Sequence, residues 1–226
     1  MQAFQLHQPN SVASATQQRA GKDDARFLAG GQSLLAAMRL GLNSASELID
    51  LSKIPGLAGS IGDRQVRNMG TIGGSIANAD PAADYPAAVL GLGATVQTNK
   101  RAIAADDFFK GFYETALAED ELITSVRFPV PTKGAYEKFK NPASRFALVG
   151  VFVAQTAGGV RVAVTGAAGS VFRVSAIEAA LAGNWSAAAA KAVRVSADGL
   201  NSDLHASAEY RAHLIPVLAA RAVAAS

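Results

Sequence analysis

Apolar and polar positions divide the chain into three stretches of different period. In "ARFLAGGQSLLAAMRLGL", residues 25–42, a short apolar run precedes a glycine turn. A helix is expected after it, with Leu34, Leu35 and Met38 on one face and Gly41 as its stop. "ELIDLS" reads as a second strand. In "NADPAADYPAAVLGLGATVQT", Asp80 is placed to cap a helix with Pro81 in its first turn, and "ATVQT" returns to a strand. Asn99 and Lys100 form a turn into "AIAADDFF".

The next runs, "ELITSVRFPVP", "ALVGVFVAQT" and "VRVAVTGAAG", are rich in valine, phenylalanine and threonine, and "AGG" at 157–159 can turn the chain between the last two. They predict an antiparallel sheet. The final runs, "VSAIEAALAGNWSAAAAKAVRVSAD" and "SAEYRAHLIPVLAARAVAAS", have helical period, with Pro216 expected to kink the last helix or begin a new one. A soft boundary falls near residue 132, at "PVPTKG".

Composition narrows the function classes. With 226 residues, half of them hydrophobic, the chain can bury a core without disulfides or metal. It has no cysteine, so it supplies no thiol nucleophile and no thiolate-ligated iron–sulfur cluster. The net charge of +3 is spread along the chain, which argues against a nucleic-acid partner. Neither a secretory leader nor an apolar run long enough for a transmembrane segment is seen, and a cytoplasmic location is expected. His7, His205 and His213 lack ligand spacing, and Asp106–Asp107 reads as a loop start rather than a catalytic dyad. No catalytic side chain and no metal ligand is predicted.

Two glycine pairs carry the chemistry. In "AGGQS" (Ala29, Gly30, Gly31, Gln32, Ser33) the glycines let backbone N–H groups approach an anion, while Gln32 and Ser33 add donors. "TIGGS" (Thr71, Ile72, Gly73, Gly74, Ser75) offers the same groups. Two such loops can clasp the two phosphates of one dinucleotide. Taken singly, each is an ordinary turn pattern. Neither a P-loop lysine nor a G-x-G-x-x-G fingerprint follows the first strand.

The segments "LAGGQSLLAAMRL", "LIDLSKIPGL", "IGDRQVRNMGTIGGSIANADPAADYPA", "ADDFFKGFYETAL", "DELITSVRFPVP", "ASRFALVGV" and "YRAHLIPVLAARAV" together resemble, in this order, the FAD-binding medium subunit of the molybdenum hydroxylases, the aerobic carbon monoxide dehydrogenase and xanthine dehydrogenase family. The resemblance implies an α+β fold: a vanillyl-alcohol-oxidase-type FAD-binding domain over residues 1–131, then a C-terminal domain, 132–226, of a three-stranded antiparallel sheet with a helix bundle. It implies FAD as cofactor, gripped at its pyrophosphate by both loops, with Asn78, Asp84 and Tyr85 nearby and Leu122 and Ile123 close to the flavin ring. For Asp84 a helix-surface carboxylate, and for Leu122 and Ile123 buried strand positions, remain competing readings. Arg64 and Arg67, beside the second loop, suit a phosphate, a partner or a solvated face.

The implied role is electron transfer from iron–sulfur clusters on a partner to an external acceptor. The implied partners are a large molybdopterin-binding subunit and a small [2Fe-2S] subunit, arranged as a dimer of heterotrimers. Two alternatives stay open: a flavin-free assembly or scaffold subunit, and a stand-alone flavin-dependent reductase. Turnover by the isolated chain with a pyridine nucleotide would favour the second of these.

One departure stands out. Between Gly59 and Ile61 the family normally runs through further strands and a helix, whereas here "GLAGSIGDRQ" joins the two sides directly. Either the sequence omits residues of the natural chain, or the chain is shortened, with impaired flavin binding. A deletion there would uncover strand edges at a cost comparable to the stability of a domain.

Overall fold

The structure, a computed structural model, describes residues 5–7, 14, 17–18, 26–28, 47–50, 70–142 and 144–226. The described chain falls into two compact units that interleave in sequence. The first holds residues up to Asn78 with Val96–Ile103 and Ala116–Val126; the second holds Ala79–Thr95, Ala104–Thr115 and Arg127–Ser226.

In the first unit, β1 (Gln5–His7), β2 (Arg26–Leu28) and β3 (Glu47–Asp50) form a parallel sheet in the order β1-β3-β2. The strands expected at "RFL" and "ELID" are present. The helix expected after residue 33 lies outside the described residues. Helix α1 (Ile72–Asn78) buries Gly73 and Ile76. Most of a second sheet, ordered β5-β4-β8, also lies in this unit: β4 (Thr95–Thr98), β5 (Ala102–Ala104) and β8 (Ile123–Arg127).

The second unit contains α2 (Tyr85–Gly91), the short α3 (Ala105–Phe108), and the ribbon of β6 (Phe109–Gly111) with β7 (Glu114–Thr115). Its sheet is antiparallel in the order β12-β11-β10-β9, built from β9 (Lys133–Lys140), β10 (Ala147–Thr156), β11 (Gly159–Thr165) and β12 (Phe172–Arg173). Three long strands carry it, and the two-residue β12 adds a fourth beyond the three expected. The "ELITSV" run does not join this sheet; its place is taken by "KGAYEKFK", and β8 pairs with β4 instead.

Register sorts the side chains of this sheet onto two faces. Val149, Val151 and Val153 pair with Phe139, Glu137 and Ala135 and with Val164 and Val162, and the valines of this face pack into one core with Ile177, Leu181, Ile215 and Leu218. The other face carries Gly150 and Phe152 with Lys138, Tyr136, Thr165 and Ala163, and meets α2. Both faces of β10 are covered, so "ALVGVFVA" is a continuous apolar run rather than an alternating one.

Helices α4 (Ser175–Gly183), α5 (Ala187–Ala192) and α6 (Ala208–Ala224) complete the unit. Ser207 caps α6 by accepting from the Tyr210 N–H. The expected break at Pro216 does not occur: α6 runs through it for 17 residues. Proline costs the Ala212 carbonyl its helical donor, but Leu214, Ile215, Leu218 and Ala219 are buried around it, and that packing holds the helix together. Buried Arg211 joins α6 to the sheet by donating to the carbonyls of Leu148 (2.8 Å) and Gly166 (2.9 Å) and to Asp203 (2.7 Å).

Candidate functional site

Of the predicted residues, Ala29, Gly30, Gly31, Gln32 and Ser33 lie outside the described residues, as do Arg64 and Arg67. "TIGGS" is not a loop: Ile72 to Ser75 form the opening of α1, with Thr71 in the capping position. Thr71 Oγ1 accepts from the Gly74 N–H at 2.9 Å, and the Thr71 carbonyl from the Ser75 N–H at 3.0 Å. A helix leaves its first N–H groups without internal partners, and here Ile72 and Gly73 hold those positions. No acidic side chain stands in the first turn to repel an anion. Asn78 closes the same helix.

Leu122, directly before β8, and Ile123, its first residue, lie in the same unit and are 5% and 4% exposed, so both side chains are buried. Leu122 is fixed on its backbone: its carbonyl accepts from the Asn99 N–H (3.0 Å), and its N–H donates to Asn99 Oδ1 (2.8 Å). Beside it Glu121, whose side chain is 1% exposed, accepts from Thr98 Oγ1 (2.8 Å), Arg101 Nε (2.9 Å), Arg101 Nη2 (3.0 Å) and the Ala118 N–H (2.9 Å). The Arg101 hydrogen bonds outweigh burial and pull its pKa down to about 2.

In the second unit the helix cap moves from Asp80 to Asp84. Asp80 Oδ1 accepts from the Ala82 N–H at 2.9 Å, which makes a local turn, and α2 begins only at Tyr85 with Pro86 in its first turn. Thr165 Oγ1 lies within hydrogen-bond distance of the carbonyls of Pro81 (2.8 Å) and Ala83 (2.7 Å), and its one proton serves one of them at a time, while the Gly166 N–H donates to the Pro81 carbonyl at 2.7 Å. These two donors at the end of β11 hold 81–83 out of the helix.

Asp84 occupies the capping position, yet its carboxylate makes no capping bond. Oδ1 accepts from the Tyr136 hydroxyl and Oδ2 from Lys138 Nζ at 2.8 Å. Burial, and then the Asp84 charge, push the Tyr136 pKa up, so the phenol stays a donor. Asp84 is thus more than a helix-surface carboxylate; at 38% side-chain exposure it keeps acceptor capacity toward solvent or a ligand. Tyr136, Lys138 and Glu121 were not singled out by sequence reasoning. "GAYEKFK" shows no apolar–polar alternation, so the sequence offered no clear signal for the first two.

Asp106 and Asp107 begin α3 rather than a loop. Burial works against the Asp106 charge, but Arg161 and Arg173 hold its carboxyl below the usual value, an ion-paired arrangement rather than a catalytic dyad. Among the described residues no cluster of three or more His, Cys, Asp or Glu side chains can hold a metal, and no helix is long and apolar enough to cross a membrane. A groove of about 460 Å³ between α5 and α6, lined by Lys191, Val193, Val195, Ala212, His213 and Pro216 among others, contains none of the predicted site residues.

A family model described as the FAD binding domain in molybdopterin dehydrogenase matches residues 2–60 and 57–131, and one described as the CO dehydrogenase flavoprotein C-terminal domain matches residues 134–226. The chain belongs to the FAD-binding medium subunits of the molybdenum hydroxylases. This medium subunit is 32% identical over 272 residues to the nicotine 6-hydroxylase medium subunit of Paenarthrobacter nicotinovorans, covering 98% of this chain and 96% of the relative. It is 30% identical to the carbon monoxide dehydrogenase medium chain of Hydrogenophaga pseudoflava, covering 99% and 96%. Against the solved carbon monoxide dehydrogenase of that organism, in a form lacking the Mo-pyranopterin moiety, the TM-score is 0.85 at 31% identity, over 99% of this chain and 97% of the other.

The medium subunit is an oxidoreductase component that binds FAD and transfers electrons, with a vanillyl-alcohol-oxidase-type flavin domain followed by a C-terminal sheet and helices. The donor chemistry fits the cofactor: the start of α1 presents backbone N–H groups and Ser75 with no opposing carboxylate, as a pyrophosphate requires.

Proposed function

We propose that the medium subunit holds the FAD pyrophosphate through Ala29–Ser33 and Thr71–Ser75, with Asn78, Asp84 and Tyr85, close by in sequence, also serving the cofactor and Leu122–Ile123 against the flavin ring. The opening of α1 carries this reading, because Thr71 takes up the Gly74 N–H internally and leaves the two preceding backbone donors for an anion. Asp84 is held in place by Tyr136 and Lys138 and accepts from a sugar or ring group. FAD supplies the redox chemistry when bound; the protein's share is to position it and exclude water, with no side-chain acid or base.

The partners are a large molybdopterin-binding subunit and a small [2Fe-2S] subunit, in a dimer of heterotrimers that works in the cytoplasm. Iron–sulfur clusters belong on another chain because this one has no cysteine. Co-expression with such partners, followed by size-exclusion and flavin analysis, tests the assignment. Co-elution of three chains with one flavin per medium subunit supports it; partners that assemble without this chain contradict it.

The chain also lacks a family segment at the junction of Gly59 and Ile61. Two observations support this. The flavin-domain match comes in two pieces that meet at residues 57–60, and the match to the nicotine 6-hydroxylase subunit spans 272 residues, more than this chain contains. An intact mass of 23.2 kDa for the naturally produced subunit supports a true shortening; a clearly larger mass shows that the natural chain retains the segment.

A further inference from the structure

The turn Thr98–Arg101 and the residues just before β8 are joined far more heavily than a hairpin requires. Besides the four bonds to Glu121 and the two between Asn99 and Leu122, Arg101 Nη2 donates to the Ala116 carbonyl at 2.7 Å, and Lys100 pairs with Asp120. Thr98 Oγ1 also accepts from the Lys100 N–H (3.1 Å) and the Arg101 N–H (2.9 Å), so one hydroxyl fixes the turn and reaches Glu121. The carboxylate is buried although it carries charge, and all four of its contacts are donors.

We propose that Glu121 is a positioning residue for the flavin, clamping the chain at Leu122 so that Leu122 and Ile123 meet the isoalloxazine ring in a fixed orientation. The inference rests on the proposed placement of those two residues at the ring. Both Glu121 oxygens act as acceptors: Oε1 from Thr98 and Arg101, Oε2 from Arg101 and Ala118. Glutamine has nearly the same shape but must turn an NH₂ group toward two donors, which breaks the clamp without opening a cavity. The peptide joining Glu121 to Leu122 transmits that loss directly.

The test uses the full chain titrated with FAD, following flavin fluorescence, the visible band shape and the midpoint potential, for wild type, Glu121→Gln, Thr98→Val and Glu178→Gln. Glu178 is the control: a largely buried carboxylate in the second unit that accepts from Arg173 and the Val162 N–H, with no bond to Leu122. The inference expects Glu121→Gln to weaken FAD binding about tenfold or more and to shift the band and the potential, with Thr98→Val moving the same readouts less. Glu178→Gln should leave all three unchanged. Thr98→Val removes the donor to Glu121 together with the hydroxyl's contacts inside the turn, at nearly constant volume, and keeps the inference testable if Glu121→Gln does not fold. Wild-type affinity, spectrum and potential in the folded Glu121 or Thr98 variants, or equal changes in the control, overturn the clamp while leaving the FAD reading intact. Failure of wild type to take up FAD overturns the proposed placement and the clamp with it.

Discussion

The ring and hydroxyl of Tyr136 occupy the space that a side chain at Gly150 would fill, on the face of the C-terminal sheet that meets α2. A Cβ at Gly150 would also approach the Thr165 methyl at 2.9 Å. The glycine in "LVGVF" is therefore a steric requirement for the Tyr136–Asp84 hydrogen bond, not a weakness in the strand.

Gly150→Ala is expected to displace Tyr136 and destabilise the chain by about 1–3 kcal/mol, as overpacking does. Tyr136→Phe keeps the ring and loses only the bond to Asp84, with a cost of about 1 kcal/mol. Denaturant unfolding of both variants checks the order, with the alanine variant the less stable.

Thr165 is fully buried, and its hydroxyl proton is shared between two carbonyls of the 81–83 segment. Thr165→Val removes that one donor, while the Pro81 carbonyl keeps the Gly166 N–H, at a cost of about 1–3 kcal/mol. Hydrogen exchange should show faster exchange at Ala82 and Ala83, with β9 and β10 unchanged.

Arg211 is buried with three bonded partners. Arg211→Met removes the charge and strands the carbonyls of Leu148 and Gly166, so a loss of about 2–4 kcal/mol is expected. Loss of α6 docking would appear as a lower melting temperature with near-native far-UV dichroism.

Glu121 has a folded-state pKa of about 2 against an ordinary 4.5. A lowered pKa contributes stability that is full above the unfolded value and fades as pH falls through the folded one. The stability gap between wild type and Glu121→Gln should therefore hold steady above about pH 5 and shrink between about 4.5 and 2. Paired thermal melts across that range check it; a gap that widens on acidification contradicts the assignment.

The element types were legible wherever local pattern and tertiary demand agree. Strands at "ELID", "TVQT" and "ALVGVFVAQT" and the two C-terminal helical runs follow from period and β-branching, although the first run divides into α4 and α5 and its end, 193–198, is not helical. The cap was ambiguous, since Asp80 directly precedes one proline and Asp84 stands two residues before another. Hydrogen bonds from Thr165, about 80 residues away in sequence, settle it. "TIGGS" looked like a loop because paired glycines are poor helix formers, yet the Thr71 cap and burial of Ile76 start a helix there. Strand β9 was missed because "YEKFK" is charged and lacks β-branched residues; its place beside β10 puts Phe139 against Tyr210 and aims Tyr136 and Lys138 at Asp84. Nothing in the sequence singles out Glu121, and only the fold brings Thr98 and Arg101 around it.

The most direct measurement is the absorption spectrum of the purified medium subunit, with identification of the nucleotide released by heating. A yellow protein is expected, or a colourless one that takes up added FAD, with one FAD per chain. A folded chain that carries no flavin and binds none, alone or with its partner subunits, would contradict it.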